Sequence, residues 1–228
     1  MKNRKKIKGG GHWRGSVPVT LKESTLKRLN KKGDFYKKAY EKIKPYIKNF
    51  RKALDIGARF GESARYMVED FDLVHCFEPR YEGKQVRIAV GEKGWRKVEF
   101  HQCALGSTEK IIEMIGSMVR TKNVRDYPKR WKIRNEVPQY TLDSFNFTDV
   151  DYIKIDVEGY ELDVLKGAKN TLRNNDATLV MERNDGEIYG ESDRFKEEDE
   201  ILKSLGYSVV AECGVNDYIL QKTELCCQ

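Results

Sequence analysis

Long apolar runs and secretion signals are missing from this sequence. No stretch approaches the ~20 apolar residues that a membrane-spanning helix needs. Residues 1–15 are basic but have no apolar stretch behind them, so they lack the pattern of a secretory signal peptide. No Pro- or Ser-rich linker divides the 228 residues. We therefore expect a cytoplasmic protein with one folded domain, short extensions and no transmembrane segment.

Cysteine and histidine are also sparse. The 5 cysteines form no CxxC pair, and Cys76, Cys103 and Cys213 lie in apolar, strand-like segments, which is typical of reduced, buried thiols. The histidines are scattered along the chain, at His12, His75 and His101. Neither residue type shows a metal-ligand spacing, so the sequence does not indicate a zinc site.

Charged residues, by contrast, are abundant. They make up 35% of the chain, against an average of ~25%, and leave a net charge of +7 that favours anionic partners. Residues 1–50 form a basic N-terminal arm and a helical extension, which Pro45 is expected to interrupt. Contact with RNA, contact with a lipid surface and a solvated tail remain open interpretations of the arm.

Between residues 51 and 222, short apolar runs alternate with helical stretches. The predicted strands are Arg51–Ile56, Asp72–Phe77, Lys97–Cys103, Tyr152–Val157, Ala177–Glu182, Tyr207–Glu212 and Asp217–Gln221. The predicted helices are Glu62–Asp70, Glu82–Glu92, Tyr160–Asn174 and Arg194–Leu205. This alternation predicts an α/β fold with a doubly wound, mostly parallel seven-stranded sheet that ends in an antiparallel C-terminal hairpin.

Residues 116–140 break the alternation with a basic insertion that contains aromatic residues. Long irregular insertions in compact domains are often functional lids, and the alternative is a solvated, mobile loop. As a lid over a substrate, the insertion would contribute Arg120, Arg125 and Trp131. Asp185, just after the fifth predicted strand, is a further candidate for substrate binding.

Three acidic residues stand near the carboxyl ends of predicted strands, where doubly wound sheets bind ligands. Asp55 precedes a glycine-containing turn, Glu78 lies about 20 residues beyond that turn, and Asp156 follows the fourth strand. At the spacing of Glu78, a carboxylate can accept hydrogen bonds from both ribose hydroxyls of a nucleoside. The pattern therefore predicts a nucleoside-containing cofactor.

The turn distinguishes between two such cofactors. Its glycines, Gly57 and Gly61, form GxxxG and not the GxGxxG of dinucleotide-binding proteins. Glu62, predicted in the first helical turn, and Asp55 would repel a pyrophosphate but suit a ligand that carries an ammonium and a sulfonium. The charges favour S-adenosylmethionine over NAD.

The segment Tyr152–Ala168, with the run KIDVEGYE, closely resembles the signature of FkbM-type methyltransferases. Further elements of the family pattern follow in the same order: Asp55–Ala58 with Gly61, Phe77–Pro79, Cys103–Gly106, Thr141–Ser144 and Glu182. The resemblance covers roughly residues 51–185. Arg59 departs from it, because the family commonly has a small polar residue such as asparagine there.

The resemblance implies a Rossmann-like methyltransferase domain over residues 51–222, followed by a tail at 223–228, that acts on hydroxyl groups. It places Asp55 and Gly57 along the methionine part of S-adenosylmethionine and Glu78 at the ribose. Gln102 and its neighbours would border the adenine, although Cys103 also fits a plain buried strand residue. The implied cofactor-binding residues are Asp55, Gly57, Ala58, Gly61, Glu78, Pro79, Cys103, Ala104 and Asp156.

Methyl transfer needs two positioned reactants and, for an alcohol, a group that removes a proton. Asp156, Glu158 and Glu182 are the candidate bases or ligands, since neighbouring parallel strands bring their carboxyl ends together. Lys154 shares a strand face with Asp156, so it is a catalytic candidate or part of an ion pair that only fixes the sheet. Glu158 alternatively caps the following helix. Glu182 and Asp185 carry oxygens that suit Mg²⁺ or Ca²⁺, but nothing indicates a metal over acid–base use.

The acceptor is predicted to be an oxygen. Amino-group methyltransferases of this fold usually carry an Asn/Asp-Pro-Pro-aromatic motif where this chain has Asp156–Gly159. The first hypothesis is therefore transfer to a hydroxyl of a sugar, glycan, glycolipid or small metabolite. RNA 2′-O-methylation, using the basic arm and insertion, is the alternative, although such enzymes commonly have a lysine where this chain has Glu182. The third, minor hypothesis is a binding module that keeps the fold without catalysis.

Overall fold

The computed structural model describes residues 35–80, 83–115, 118–119, 134–183, 192–214 and 216–223. Within these ranges, no helix combines the length and the apolar character that crossing a bilayer requires. The three cysteines that fall in the described ranges, Cys76, Cys103 and Cys213, are buried free thiols, as expected.

The helices and strands follow the predicted alternation. The α-helices are α1 (residues 35–43), α2 (Ala64–Asp70), α3 (Gly83–Trp95), α4 (Glu161–Lys166), α5 (Lys169–Asn174) and α6 (Ser192–Ser204). Short 3-10 helices span Lys44–Tyr46 and Leu142–Phe145. The strands are β1 (Lys52–Ile56), β2 (Leu73–Phe77), β3 (Val98–His101), β4 (Ala104–Leu105), β5 (Lys110–Ile115), β6 (Met118–Val119), β7 (Arg134–Tyr140), β8 (Val150–Ile155), β9 (Thr178–Glu182), β10 (Tyr207–Glu212) and β11 (Asp217–Lys222).

The central sheet has seven strands in the order β10-β11-β9-β8-β1-β2-β3. All neighbours are parallel except β11, which runs antiparallel to both β9 and β10. The doubly wound sheet with its C-terminal hairpin is confirmed. The strand order reverses between β1 and β8, and ligands bind in the crevice at such a switch point.

A second, four-stranded sheet in the order β4-β7-β5-β6 was not predicted. The prediction of one irregular segment over residues 116–140 is wrong at both ends, because β6 and β7 lie there. The sequence of β7, RNEVPQY, is polar and contains Pro138, which cannot donate a ladder hydrogen bond. Its strand character comes from pairing with β5 over six residues, which a local pattern does not show.

The helix predicted over Tyr160–Asn174 is two helices, α4 and α5. Gly167 ends the first, and a Cβ there would overlap the carbonyl oxygen of Gly106. The second begins at Lys169. The carboxylate of Asp143, from an earlier part of the chain, accepts the amide hydrogens of its residues Asn170 (3.0 Å) and Thr171 (2.7 Å). Asp143 therefore has a structural role as a helix cap.

Apolar side chains cover both faces of the central sheet. One face packs against α4, α5 and α6, and the other packs against α1, α2 and α3. Helix α1 contributes the buried side chains of Tyr40 and Ile43, and the segment after it contributes Ile47. The helix ends just before Pro45, as predicted. The boundary at residue 50 stays a prediction, but the described part of the extension packs against the sheet.

Candidate active site

The turn after β1 is shaped by the chain that surrounds it. Gly57 has φ 87° and its amide donates to the carbonyl of Phe77 (3.0 Å). A Cβ at Gly57 would overlap the carbonyl oxygen of Asp156, so only glycine lets β1 and β8 approach here. Arg59 lies in the left-handed region with φ 50°, which asparagine tolerates better than arginine. The departure of Arg59 from the family pattern therefore falls on a backbone position with a steric preference.

Glu78 lies beside that turn at the end of β2, with 6% of its surface exposed. Its carboxylate accepts the amide hydrogens of Arg59 (3.0 Å) and Arg80 (2.8 Å). Burial raises the pKa of Glu78, and the two amide donors partly oppose that shift. The backbone thus holds a buried carboxylate in a fixed orientation.

Asp55 lies in β1 just before the turn, and Gly61 lies near the end of the turn. Asp55 has no exposed surface, and neither of its carboxylate oxygens has a hydrogen-bond partner among the described residues. Burial raises the pKa of Asp55 to about 6, although Lys154, whose Nζ lies 3.9 Å from Oδ1, opposes the shift. A Cβ at Gly61 would lie 3.1 Å from atoms of α3, so this glycine lets α3 pack closely. Cofactor contacts by these two residues stay predictions.

The first cleft has a volume of about 820 Å³, including space open to solvent, and lies over the carboxyl ends of β1, β2 and β8. Such a volume suits a nucleoside-sized ligand. Seven of the predicted cofactor residues line this cleft: Gly57, Ala58, Glu78, Pro79, Cys103, Ala104 and Asp156. The second sheet supplies a wall of the cleft through Met114 and Val119.

Lys154 and Asp156 lie at the floor of the first cleft, and their ammonium and carboxylate are 2.8 Å apart. Burial alone would lower the pKa of Lys154, but the carboxylates of Asp156 and Asp55 raise it above its ordinary value. Burial would raise the pKa of Asp156, but Lys154 holds it below the ordinary value, helped by a hydrogen bond with Glu182. Of the residues expected to meet at these strand ends, Asp156 and Glu182 are thus in contact, and Lys154 pairs with Asp156.

A second cleft, of about 740 Å³, lies between α1 and the ends of β8, β9 and β11. Glu182 and Asp217 line it, together with tyrosines of α1 and β8. The two clefts share four lining residues, namely Tyr36, Ser63, Lys154 and Asp156. The Lys154–Asp156 pair therefore borders both clefts.

Tyr36 and Asp217 are two polar lining residues that the sequence interpretation missed. Tyr36 belongs to the basic extension, yet Tyr36, Tyr40, Ile43 and Ile47 recur at the spacing of one helix face. That period indicates a helix packed on the domain. Asp217 carries no comparable signal, because its place beside Glu182 depends on the pairing of β11 with β9.

Glu158 lines the first cleft, but its side chain is exposed and its φ is 54°. The carboxylate that holds the turn before α4 belongs to Glu161, which accepts the amide hydrogens of Val157 (3.1 Å) and Gly159 (3.0 Å). Both amides belong to the loop before α4, so Glu161 fixes that loop, and the capping role considered for Glu158 stays a prediction.

The four residues predicted to bind substrate fall outside the described residues: Arg120, Arg125, Trp131 and Asp185. The lid interpretation of the basic insertion stays a prediction for the same reason. A metal at Glu182 and Asp185 is likewise untested, because Asp185 lies outside the described residues.

Comparisons with known proteins identify similar structures and a matching family. Methyltransferase FkbM from Methylobacillus flagellatus KT is 20% identical over 75% of this chain, with a TM-score of 0.51. The match covers 43% of that protein, so this chain spans less than half its length. A SAM-dependent methyltransferase from Leishmania major is 13% identical over 90% of this chain and 79% of its own, with a TM-score of 0.48.

Magnesium protoporphyrin IX methyltransferase from Synechocystis PCC 6803, solved with bound SAM, is 10% identical over 90% of this chain and 85% of its own, with a TM-score of 0.44. No curated protein sequence is significantly similar to the chain. A family model described as the methyltransferase FkbM domain matches residues 55–209, more than half of the chain. The chain therefore belongs to the FkbM family of S-adenosylmethionine-dependent methyltransferases.

Proposed function

We propose that this protein is an S-adenosylmethionine-dependent O-methyltransferase whose acceptor is a hydroxyl of a sugar, glycan, glycolipid or small metabolite. One observation carries the proposal: two clefts meet at the Lys154–Asp156 pair, with Glu182 hydrogen-bonded to it. A transferase for two substrates needs two pockets that share a reacting point.

The first cleft suits the methyl donor. Glu78 is preoriented by two amides and is placed for ribose hydroxyls. Asp55 and Glu62 are buried near the turn, and each has at least one carboxylate oxygen without a hydrogen-bond partner among the described residues. Such groups favour a ligand with an ammonium over one with a pyrophosphate. When bound, S-adenosylmethionine supplies an electrophilic methyl group on a sulfonium.

The acid group at the meeting point suits an alcohol acceptor. A hydroxyl is a poor nucleophile until its proton leaves, and a carboxylate within hydrogen-bond reach accepts that proton. Lys154 keeps Asp156 ionised, and Glu182 is hydrogen-bonded to Asp156. We assign Asp156 as the proton acceptor, Glu182 as its partner and Lys154 as a positioning residue.

The test combines two measurements on the full chain. Binding of S-adenosylmethionine is measured by calorimetry, and products are identified by mass spectrometry after incubation with a deuteromethyl-labelled donor and panels of glycans, lipids, metabolites and RNA. We expect one donor site per chain and a labelled ether on a hydroxyl compound. The ether should be lost in Asp156→Asn and kept in Asp176→Asn, because Asp176 is exposed just before β9, at the opposite edge of the sheet. Labelled nitrogen or carbon products would overturn the O-methyltransferase proposal.

RNA 2′-O-methylation remains the second candidate because residues 1–50 and 116–140 are rich in lysine and arginine. Phosphate contacts release counterions, so RNA binding weakens steeply with added salt, whereas binding of a neutral glycan does not. The KM of the methylated acceptor, measured at two salt concentrations, distinguishes these substrates.

A further inference from the structure

Two histidines that the sequence separates by 26 residues meet on the central sheet. β2 and β3 are parallel neighbours, and their register sets His75 opposite Glu99. His101 lies two residues beyond Glu99, so all three side chains project from one face of the sheet. None of them lines the first or the second cleft. The group is therefore separate from the candidate active site.

The spacing of the three side chains fits a tetrahedral metal. Nδ1 of His75 lies 3.1 Å from Nε2 of His101 and 3.3 Å from Oε2 of Glu99. Ligand atoms of all three residues lie within 4.8 Å of one another. Two ligands bound tetrahedrally to zinc at ~2.0–2.1 Å are separated by roughly 3.3–3.4 Å. We propose that His75, Glu99 and His101 form a Zn²⁺ site, with water as the fourth ligand.

Aromatic neighbours hold the two imidazole rings in place. The His75 ring lies 4.5 Å from the ring of Phe147, and the His101 ring stacks on Phe77 at 4.5 Å between centroids. Burial lowers the pKa of both histidines, so both rings are neutral at neutral pH. Fixed, neutral imidazoles are good ligands for zinc.

Charge and access also suit a cation. Glu99 keeps 40% of its side chain exposed, so one ligand of the site is reached by solvent, whereas His75 is buried. Lys52 is the cationic side chain near His75. Its ammonium donates a hydrogen bond to the carbonyl oxygen of Thr148, at 2.8 Å. Each neutral ring has one proton, which for metal binding lies on Nε2 of His75 and on Nδ1 of His101. Binding then needs no redox step and no change in total ring protonation.

The first experiment measures metal binding by the full chain. Ligands near the termini are removed in a background variant that combines His12→Ala, Cys226→Ser and Cys227→Ser. Calorimetric titration with Zn²⁺ is expected to show one site per chain. Replacement by Co²⁺ is expected to give the intense visible absorption of tetrahedral cobalt. A background variant that binds no Zn²⁺, or that shows only octahedral cobalt, would overturn the proposal.

The second experiment assigns the site. His101→Gln and Glu99→Gln, made in the same background, are each expected to weaken Zn²⁺ binding at least tenfold and to reduce the cobalt absorption. Glu69→Gln is the matched control, because Glu69 is exposed on α2, which packs on the other face of the sheet. Circular dichroism establishes that the variants are folded. Unchanged Zn²⁺ affinity in both His101→Gln and Glu99→Gln refutes the site.

Discussion

The two clefts that meet at Asp156 are built in different ways. The first is formed mainly by loops that directly follow β1, β2 and β8, and its carboxylate Glu78 is held by backbone amides of the loops after β1 and β2. The second is formed where α1 meets β8, β9 and β11, so helix α1 of the N-terminal extension and strand β11 of the C-terminal hairpin complete it. The proposed donor cleft therefore depends mainly on short motifs at the ends of strands, and the proposed acceptor cleft depends on the packing of α1 and β11 against the sheet.

The largest effect is expected where the clefts meet. Asp156→Asn should lower turnover by at least ~100-fold while S-adenosylmethionine affinity changes little, because asparagine cannot accept the acceptor's proton. Turnover is measured as the rate of S-adenosylhomocysteine formation with the identified acceptor, and Asp176→Asn is the control. Normal turnover in Asp156→Asn would remove this residue from the mechanism. It would also contradict the assignment of the reacting point to the residues that both clefts share.

A change confined to the first cleft should affect only the donor. Glu78→Ala should weaken S-adenosylmethionine binding by ~10- to 100-fold, since it removes charge-assisted hydrogen bonds to ribose hydroxyls. Glu78→Gln should lie between this variant and the wild type, because the amide oxygen still accepts one backbone hydrogen. Calorimetry measures the affinities, with Glu69→Ala as control. Equal affinity in all variants would contradict the ribose assignment.

Beneath the first cleft, Asp55 should link stability to pH. Its pKa of about 6 in the folded chain exceeds its ordinary value of 3.8, so folding favours the protonated form. That stability is complete below about pH 4 and is lost as the pH rises through about 6. Asp55→Asn should therefore stabilise the ligand-free protein at pH 8 by on the order of 1–3 kcal/mol, and by less at pH 5.

Thermal unfolding of Asp55→Asn and the wild type at both pH values measures this difference. S-adenosylmethionine binding by the variant should be weaker, since the negative charge beneath the first cleft is gone. A variant that is less stable than the wild type at pH 8 would show that Asp55 is compensated by its surroundings.

The smallest effect is expected at the far side of the second cleft. Asp217 lines only that cleft and lies opposite Glu182 in the sheet. Asp217→Asn should raise the acceptor KM by ~3- to 10-fold and leave donor affinity unchanged, because it weakens about one hydrogen bond to the acceptor. Steady-state kinetics measures the acceptor KM, and calorimetry measures the donor affinity. A loss of donor affinity with an unchanged KM would reverse the assignment of the clefts.

Much of the first cleft could be predicted from the sequence. Gly57, Glu78 and Asp156 each follow a strand whose apolar run is readable, and parallel strands bring their carboxyl ends together. The central sheet was predictable for the same reason. The second sheet was not, because β7 is polar and contains Pro138, so its strand character comes from its partner β5. The mutual approach of His75 and Glu99 likewise depends on register, which spacing along the chain does not reveal.

The sequence by itself determined the family, the doubly wound sheet and the acidic residues at its carboxyl edge, since these follow from local periodicity and from motifs at fixed spacing. Only the tertiary structure decided that Tyr36 and Asp217 border a second cleft, that Lys154 lies between Asp55 and Asp156, and that Glu161 holds the turn before α4. The physical reason is that burial, ion pairing and pKa depend on distances across strands, and folding sets those distances between residues far apart in the chain.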